Sequence, residues 1–209
     1  MKQKLDFKKE YKDLYLPAAT PVIIDVPPIQ YFMVDGVGAP EGACYHEAMQ
    51  ILYSLSYTIK MSKMAGNTPE NYRDFVVPPL EGLWDCAAEG FDPDRRRWKW
   101  TSMLRQPDFV TPAILEWACT EVRKKKPELD VSKARLALYK EGLCVQIMHI
   151  GPYSAEQRSI DKVMAFIREN GLVDQCGTER KHHEIYISDP RKTNPETLKT
   201  VLRHPVSRK

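Results

Sequence analysis

The sequence predicts an α+β fold in which two strand–helix–strand–strand units carry antiparallel sheets and leave a ligand cleft where they meet. Three observations support this. Apolar residues recur at helical spacing in two long segments, one in each half. Extended apolar runs flank each segment. The turns Gly38-Ala39-Pro40 and Gly151-Pro152-Tyr153 hold equivalent places in the two halves. Residue identity between the halves is weak, so the repeat is one of architecture. A helix laid across an antiparallel sheet defines the class, and clefts between units commonly take small ligands.

Taken in order, residues 1–15 are dense in Lys, Asp and Glu and read as a solvated helical arm or an extended lead-in, with one domain following over 16–209. Val22–Val26 and Ile29–Val34 read as two strand pieces broken by Pro27-Pro28. From about Gly42 to Met64, Ala48, Ile51, Leu52, Leu55 and Ile59 form a buried helical stripe, with Tyr45, Met49, Tyr53 and Tyr57 on an adjoining one. Gly66-Asn67 ends that helix. Val76–Trp84 and Arg97–Leu104 read as strands separated by the turn Gly90–Asp94. Thr111 caps a connecting helix over about 112–126, with Pro112 at its first position and Lys124, Lys125 and Lys126 at its basic end. The repeats themselves span about 20–105 and 134–190.

In the second half, Arg135–Tyr139 and Leu143–Ile150 read as a hairpin about Lys140-Glu141-Gly142. A helix follows over about Ser154–Asn170, with Ile160, Val163, Met164 and Ile167 inward and Gly171 as its stop. His182–Ser188 reads as a strand, and Asn194-Pro195-Glu196 as the start of a short helix carrying Leu198, Val201 and Leu202.

Composition narrows the function. The 209 residues suffice to bury about 70% of the unfolded chain's surface without a metal or disulfide. With 31 basic and 28 acidic residues the net charge is +3, too balanced for a dedicated nucleic-acid binder. The Arg95-Arg96-Arg97 triplet reads as a solvated strand entry. No apolar run reaches the length that spans a bilayer, and the charged N-terminus lacks the apolar core of an export signal, so a cytoplasmic protein is expected. The cysteines, Cys44, Cys86, Cys119, Cys144 and Cys176, are odd in number and widely spaced, as reduced thiols are. Neighbouring His182 and His183 point to opposite faces of a strand, and His46-Glu47 lacks a second His four residues on, so no metal site is expected. Gly36-Val37-Gly38 lacks the third glycine of a dinucleotide loop, and phosphate-loop and nucleophile-elbow motifs are absent, so no cofactor is expected.

The sharpest chemical signal is His182–Ser188. Strand alternation puts His183, Ile185 and Ile187 on one face and His182, Glu184, Tyr186 and Ser188 on the other. A carboxylate and a phenol then stand side by side. In a dry cleft Glu184 needs a cationic ligand, hydrogen-bond donors or a proton; on an open face it is an ordinary solvated residue. Aromatic residues can wall a cleft for organic cations: Trp84, the pair Trp98 and Trp100, and Tyr45, Tyr53 and Tyr57. Such stripes also serve as plain core. Glu81 is a second carboxylate candidate, with Glu47 and Asp85 behind it.

Several segments together resemble stand-alone GyrI-like small-molecule-binding proteins. They are Lys4–Tyr15, Phe32-Met33-Val34-Asp35-Gly36-Val37-Gly38, Pro79-Leu80-Glu81-Gly82-Leu83-Trp84, Trp98-Lys99-Trp100-Thr101, Gln106–Pro112, His149-Ile150-Gly151-Pro152-Tyr153 and Glu184–Pro190. The resemblance implies a duplicated fold with the ligand between the repeats. It implies that Glu184 is the pocket carboxylate, with Tyr186 and Trp84 as walls and His149 within a shared motif. Relatives fused to DNA-binding regions sense cationic lipophilic drugs; no helix-turn-helix extension is recognisable here. Some stand-alone relatives hydrolyse cyclopropane-bearing genotoxins with pocket carboxylate and tyrosine groups. Asp85 stands where many members carry a second Trp. The expectation is therefore a binder of hydrophobic, cationic or electrophilic small molecules, or a hydrolase with Glu184 and Tyr186 as catalytic residues, acting without nucleic-acid or membrane partners.

Overall fold

The computed structural model describes residues 4–66, 68–85, 92–177 and 180–209; Asn67, Cys86 and the Gly90-Phe91 part of the expected turn lie outside them. Among the described residues, seven strands and five α-helices make a mixed α+β fold around one antiparallel sheet. The strands are β1 (Val22–Val37), β2 (Glu81–Trp84), β3 (Lys99–Arg105), β4 (Arg135–Ile150), β5 (Leu172–Asp174), β6 (His182–Tyr186) and β7 (Lys199–Arg208). Their order is β4-β1-β3-β2-β6-β7-β5, and β4 also pairs with β7, so the six long-range partners close on themselves with β5 outside.

Both long strands run on where breaks were expected. Pro27 and Pro28 are exposed within β1, where only β4 is in register beside it; β3 joins from Tyr31 onward. A proline is tolerated where a strand has one free edge. Likewise Lys140-Glu141-Gly142 is no hairpin turn: β4 passes straight through it, with Gly142 at φ +72° opposite Val26. The same strand pairs with β1 through Gln146 and with β7 from Cys144, which is how the order closes. The expected Val76–Trp84 strand shortens to Glu81–Trp84, because Pro78 and Pro79 supply no N–H for a ladder. Arg95–Arg97 forms a 3₁₀ turn held by Asp94, not a strand start. The expected C-terminal helix is a 3₁₀ turn at Pro195–Thr197 followed by β7. Leu198, Val201 and Leu202 fit helical spacing only because β7 is buried on both faces, which erases strand alternation.

The helices follow the sequence closely. α3 (Ala43–Met61) buries Ala48, Ile51, Leu52, Leu55 and Ile59 and passes into a 3₁₀ turn that Gly66 closes at φ +68°. In α4 (Pro112–Lys125), the Thr111 hydroxyl accepts from the Ile114 N–H at 3.3 Å. α5 (Gln157–Glu169) buries Val163 and Ile167. The short helices α1 (Phe7–Glu10) and α2 (Lys12–Tyr15) are no solvated arm: Phe7, Leu14 and Tyr15 are buried, and the Arg105 guanidinium lies 4.3 Å from the Phe7 ring centre.

Opposite residues of antiparallel strands share a face. One face carries Gly82, Trp84, Trp100, Ser102, His182, Glu184, Tyr186 and Leu202; the other carries Glu81, Leu83, His183 and Arg203. On the first face α3 packs over β1 and β3, and α5 packs over β4 and β7. β2 and β6 therefore lie between the two helices. A methyl on Gly36 would sit 2.1 Å from the Trp100 ring, so only glycine lets that indole lie on β1.

The opposite face encloses a charge network among buried apolar side chains such as Leu83, Ile185 and Val201. Glu81 accepts hydrogen bonds from Tyr15 and Tyr31, each at 3.1 Å, and its Oε2 lies 3.1 Å from His183 Nε2. His183 Nδ1 is 2.9 Å from Glu141 Oε2, which also accepts from Arg203 Nη1 at 2.7 Å. Arg203 donates on to Gln146 at 3.0 Å and to the Leu14 carbonyl at 3.0 Å. All of these charged groups are buried, so each charge has a partner in place of water.

Candidate functional site

Between α3 and α5, β6 presents Glu184 and Tyr186 two residues apart on one face, as strand alternation predicts. The Tyr186 hydroxyl donates to Glu184 Oε2 at 2.8 Å and accepts from the Trp84 indole N–H at 3.1 Å. An indole nitrogen can only donate, so the phenol proton is left for the carboxylate. Burial, and then the Glu184 charge, push the Tyr186 phenol well above its ordinary value, which keeps it a donor. Gly82, opposite Glu184 in register, makes the contact possible: a methyl there would lie 2.9 Å from the Trp84 nitrogen and 3.2 Å from the Tyr186 oxygen.

Aromatic rings surround this pair. Tyr45 from α3 stacks on Trp84 with centroids 5.5 Å apart and meets Trp100 edge-on at 5.0 Å. Trp98 packs edge-on against Trp84 at 5.8 Å. Tyr153 stands edge-on to Tyr186 at 6.0 Å and is 41% exposed, so it forms the outer wall. Burial raises the phenols of Tyr45 and Tyr153 to about 12. Behind Glu184, His182 Nε2 lies 3.3 Å from Glu184 Oε1 and its ring packs on His204. Burial holds His182 below its ordinary value, so near neutrality it is the uncharged imidazole.

Two members of the cluster escape sequence reasoning. Tyr153 and Glu156 sit on the turn before α5, where no periodicity marks an inward residue. Glu156 Oε1 is buried without a hydrogen-bond partner among the described residues. Burial, reinforced by the Glu184 charge, raises its carboxyl to about 9. The signal that could have found them is adjacency to Gly151-Pro152, which returns the chain to the sheet.

Other expected residues lie elsewhere. Glu81 faces the enclosed charge network on the opposite side of β2, since residues 81 and 84 of a strand point apart. His149 is buried with both ring nitrogens engaged, Nδ1 to Ser159 Oγ at 2.9 Å and Nε2 to the Pro152 carbonyl at 3.1 Å, so it fixes the turn that carries Tyr153 and Glu156. Trp100 does belong to the aromatic cluster, where it is buried against Tyr45 and donates to the Gly38 carbonyl at 3.0 Å. Tyr53 is half-buried beside Tyr57, which is 49% exposed and lines a cavity of about 320 Å³ between α3 and α4 with Trp117 and Met61. A second cavity, of about 300 Å³, lies beside Trp100 and Lys181. Neither includes Glu184, whose side chain is 13% exposed. Asp85 pairs with Lys181 at 2.8 Å. Among the described residues no three His, Cys, Asp or Glu side chains are placed to hold a metal, and no helix is long and apolar enough to cross a membrane. Cys44, Cys119 and Cys144 are free thiols, whereas Cys176 is disulfide-bonded, which corrects the expectation of five reduced thiols.

The sheet thus bears a carboxylate among aromatic rings between two helices of an α+β protein. Residues 118–207 match the sequence model of the GyrI-like small molecule binding domain. The chain is 51% identical to a crystal structure of a hydrolase from Listeria innocua, over 98% of this chain and 100% of that one, with a TM-score of 0.91. It is 53% identical to an uncharacterized conserved protein from Listeria innocua, over the same shares, with a TM-score of 0.94. A further Listeria innocua hydrolase structure is 52% identical over the same shares, with a TM-score of 0.91. Among curated proteins nothing matches. The chain belongs to the GyrI-like family.

Proposed function

We propose that Glu184 and its aromatic surroundings bind a hydrophobic small molecule with a cationic or electrophilic centre. The observation that carries this is the Trp84–Tyr186–Glu184 hydrogen-bond chain, which aims one carboxylate into a wall of rings. A low-polarity wall strengthens attraction to a positive centre, and ring faces add their own. The guest enters by displacing the exposed Tyr153 ring. Tryptophan quenching by ethidium, a flat lipophilic monocation, tests it. Glu184→Gln is expected to weaken binding at least about tenfold, or about 1.4 kcal/mol. Equal affinity in the two proteins rejects the charge role.

A second reading has support in the two similar structures described as hydrolases. In it the substrate is a cyclopropane-bearing alkylating agent. Glu184 takes a proton from water as the water oxygen attacks a ring carbon. The ring C–C bond breaks, and its electron pair passes to the conjugated acceptor, toward which Tyr186 turns its hydrogen bond.

A further inference from the structure

The site holds a second carboxyl. Glu156 stands on the turn before α5, and its Oε1 is shielded from water with no donor to satisfy it among the described residues. Its charge interacts with those of Glu184 on β6 and Tyr153 on its own turn. Beyond Glu184 stand Tyr186 on β6, Tyr45 on α3 and His149 on β4. Arg158, two residues along α5, donates to the Ile150 carbonyl at 2.9 Å. Asp189, which also acts on Tyr153, adds negative charge. A buried carboxyl oxygen with no donor, set beside a second carboxyl, is relieved by holding a proton.

We infer that Glu156 keeps that proton for a singly charged guest and gives it up to a doubly charged one, so that it sets the charge a guest may carry. This rests on the binding role proposed for Glu184. One positive charge is met by Glu184, and Glu156 stays neutral. A second positive charge in the same cluster stabilises the ionised form of Glu156, and the proton leaves to solvent. Between about pH 6.5 and 8.5 the surrounding groups are quiet: burial holds His149 and His182 low and the tyrosines high.

Ethidium and propidium share one ring system and carry one and two positive charges. Calorimetric titrations in buffers of different ionisation enthalpy count protons released. Propidium is expected to expel close to one proton and to bind about tenfold more tightly per pH unit across that window, the slope of one proton; ethidium is expected to expel none and to show a flat profile. In Glu156→Gln, checked for folding by circular dichroism, the propidium slope disappears. A flat wild-type propidium profile, no propidium binding at any pH while ethidium binds, or a slope that survives Glu156→Gln overturns the inference. Equal ethidium affinity in Glu184→Gln and wild type instead overturns the binding role beneath it.

Discussion

Glu141→Gln is expected to destabilise the protein by about 3–5 kcal/mol, the cost of removing one partner of a buried ion pair. The glutamine keeps the shape but not the charge. Arg203, buried with a 2.7 Å bond to Glu141, is then left without its counter-charge, and His183 loses the negative charge beside its Nδ1. Urea unfolding measures the loss; a change under about 1 kcal/mol would show that water or a rearranged partner reaches the network. Replacing Glu141, His183 and Arg203 together by apolar residues of similar size is expected to recover much of the loss.

The same network sets a pH profile. Burial favours the neutral acid, but the His183 and Arg203 charges outweigh it and hold Glu141 at about 2, below the ordinary 4.5. Its contribution is present above the ordinary value and fades as pH falls toward the folded one. Burial would lower His183, yet Glu141 and Glu81 raise it above 6.5. That contribution is complete below 6.5 and fades as pH rises through the folded value. Stability is therefore expected to peak in weakly acidic solution.

The second large effect concerns turnover. If water attack is assisted as proposed, Glu184→Gln is expected to lower the rate of ring opening of a cyclopropane-bearing alkylating agent by about 10²–10⁴-fold, the usual contribution of a general base. Tyr186→Phe removes the donor 2.8 Å from Glu184 and the acceptor for Trp84, and is expected to lower the rate by about 10²–10³-fold. Product appearance by mass spectrometry measures both. Stoichiometric capture without turnover in the wild type would leave the binding reading and remove the hydrolytic one.

The parts legible in the sequence are those with a period. α3, α4 and α5 announce themselves through apolar stripes, and β6 through alternation that separates Glu184 and Tyr186 from His183. Where both faces are buried the period vanishes, so β7 passes for a helix. Proline and glycine punctuate most chains, yet Pro27-Pro28 and Gly142 lie inside strands because the free edge and the closing of the sheet accommodate them. Glu81 and Glu184 look alike as strand carboxylates; only the register across β2 and β6 assigns one to an internal charge network and the other to the ring-walled face. Tyr153 and Glu156 belong to an aperiodic turn, placed by His149 and Ser159 through contacts no local pattern encodes.

A crystal structure of the protein soaked with ethidium tests the binding site most directly. The expected result is the phenanthridinium against Trp84 and Tyr45, its charge beside Glu184, and the Tyr153 ring swung outward. Ethidium seated instead between α3 and α4 against Tyr57 and Trp117, with the Glu184 cluster unchanged, would contradict the account.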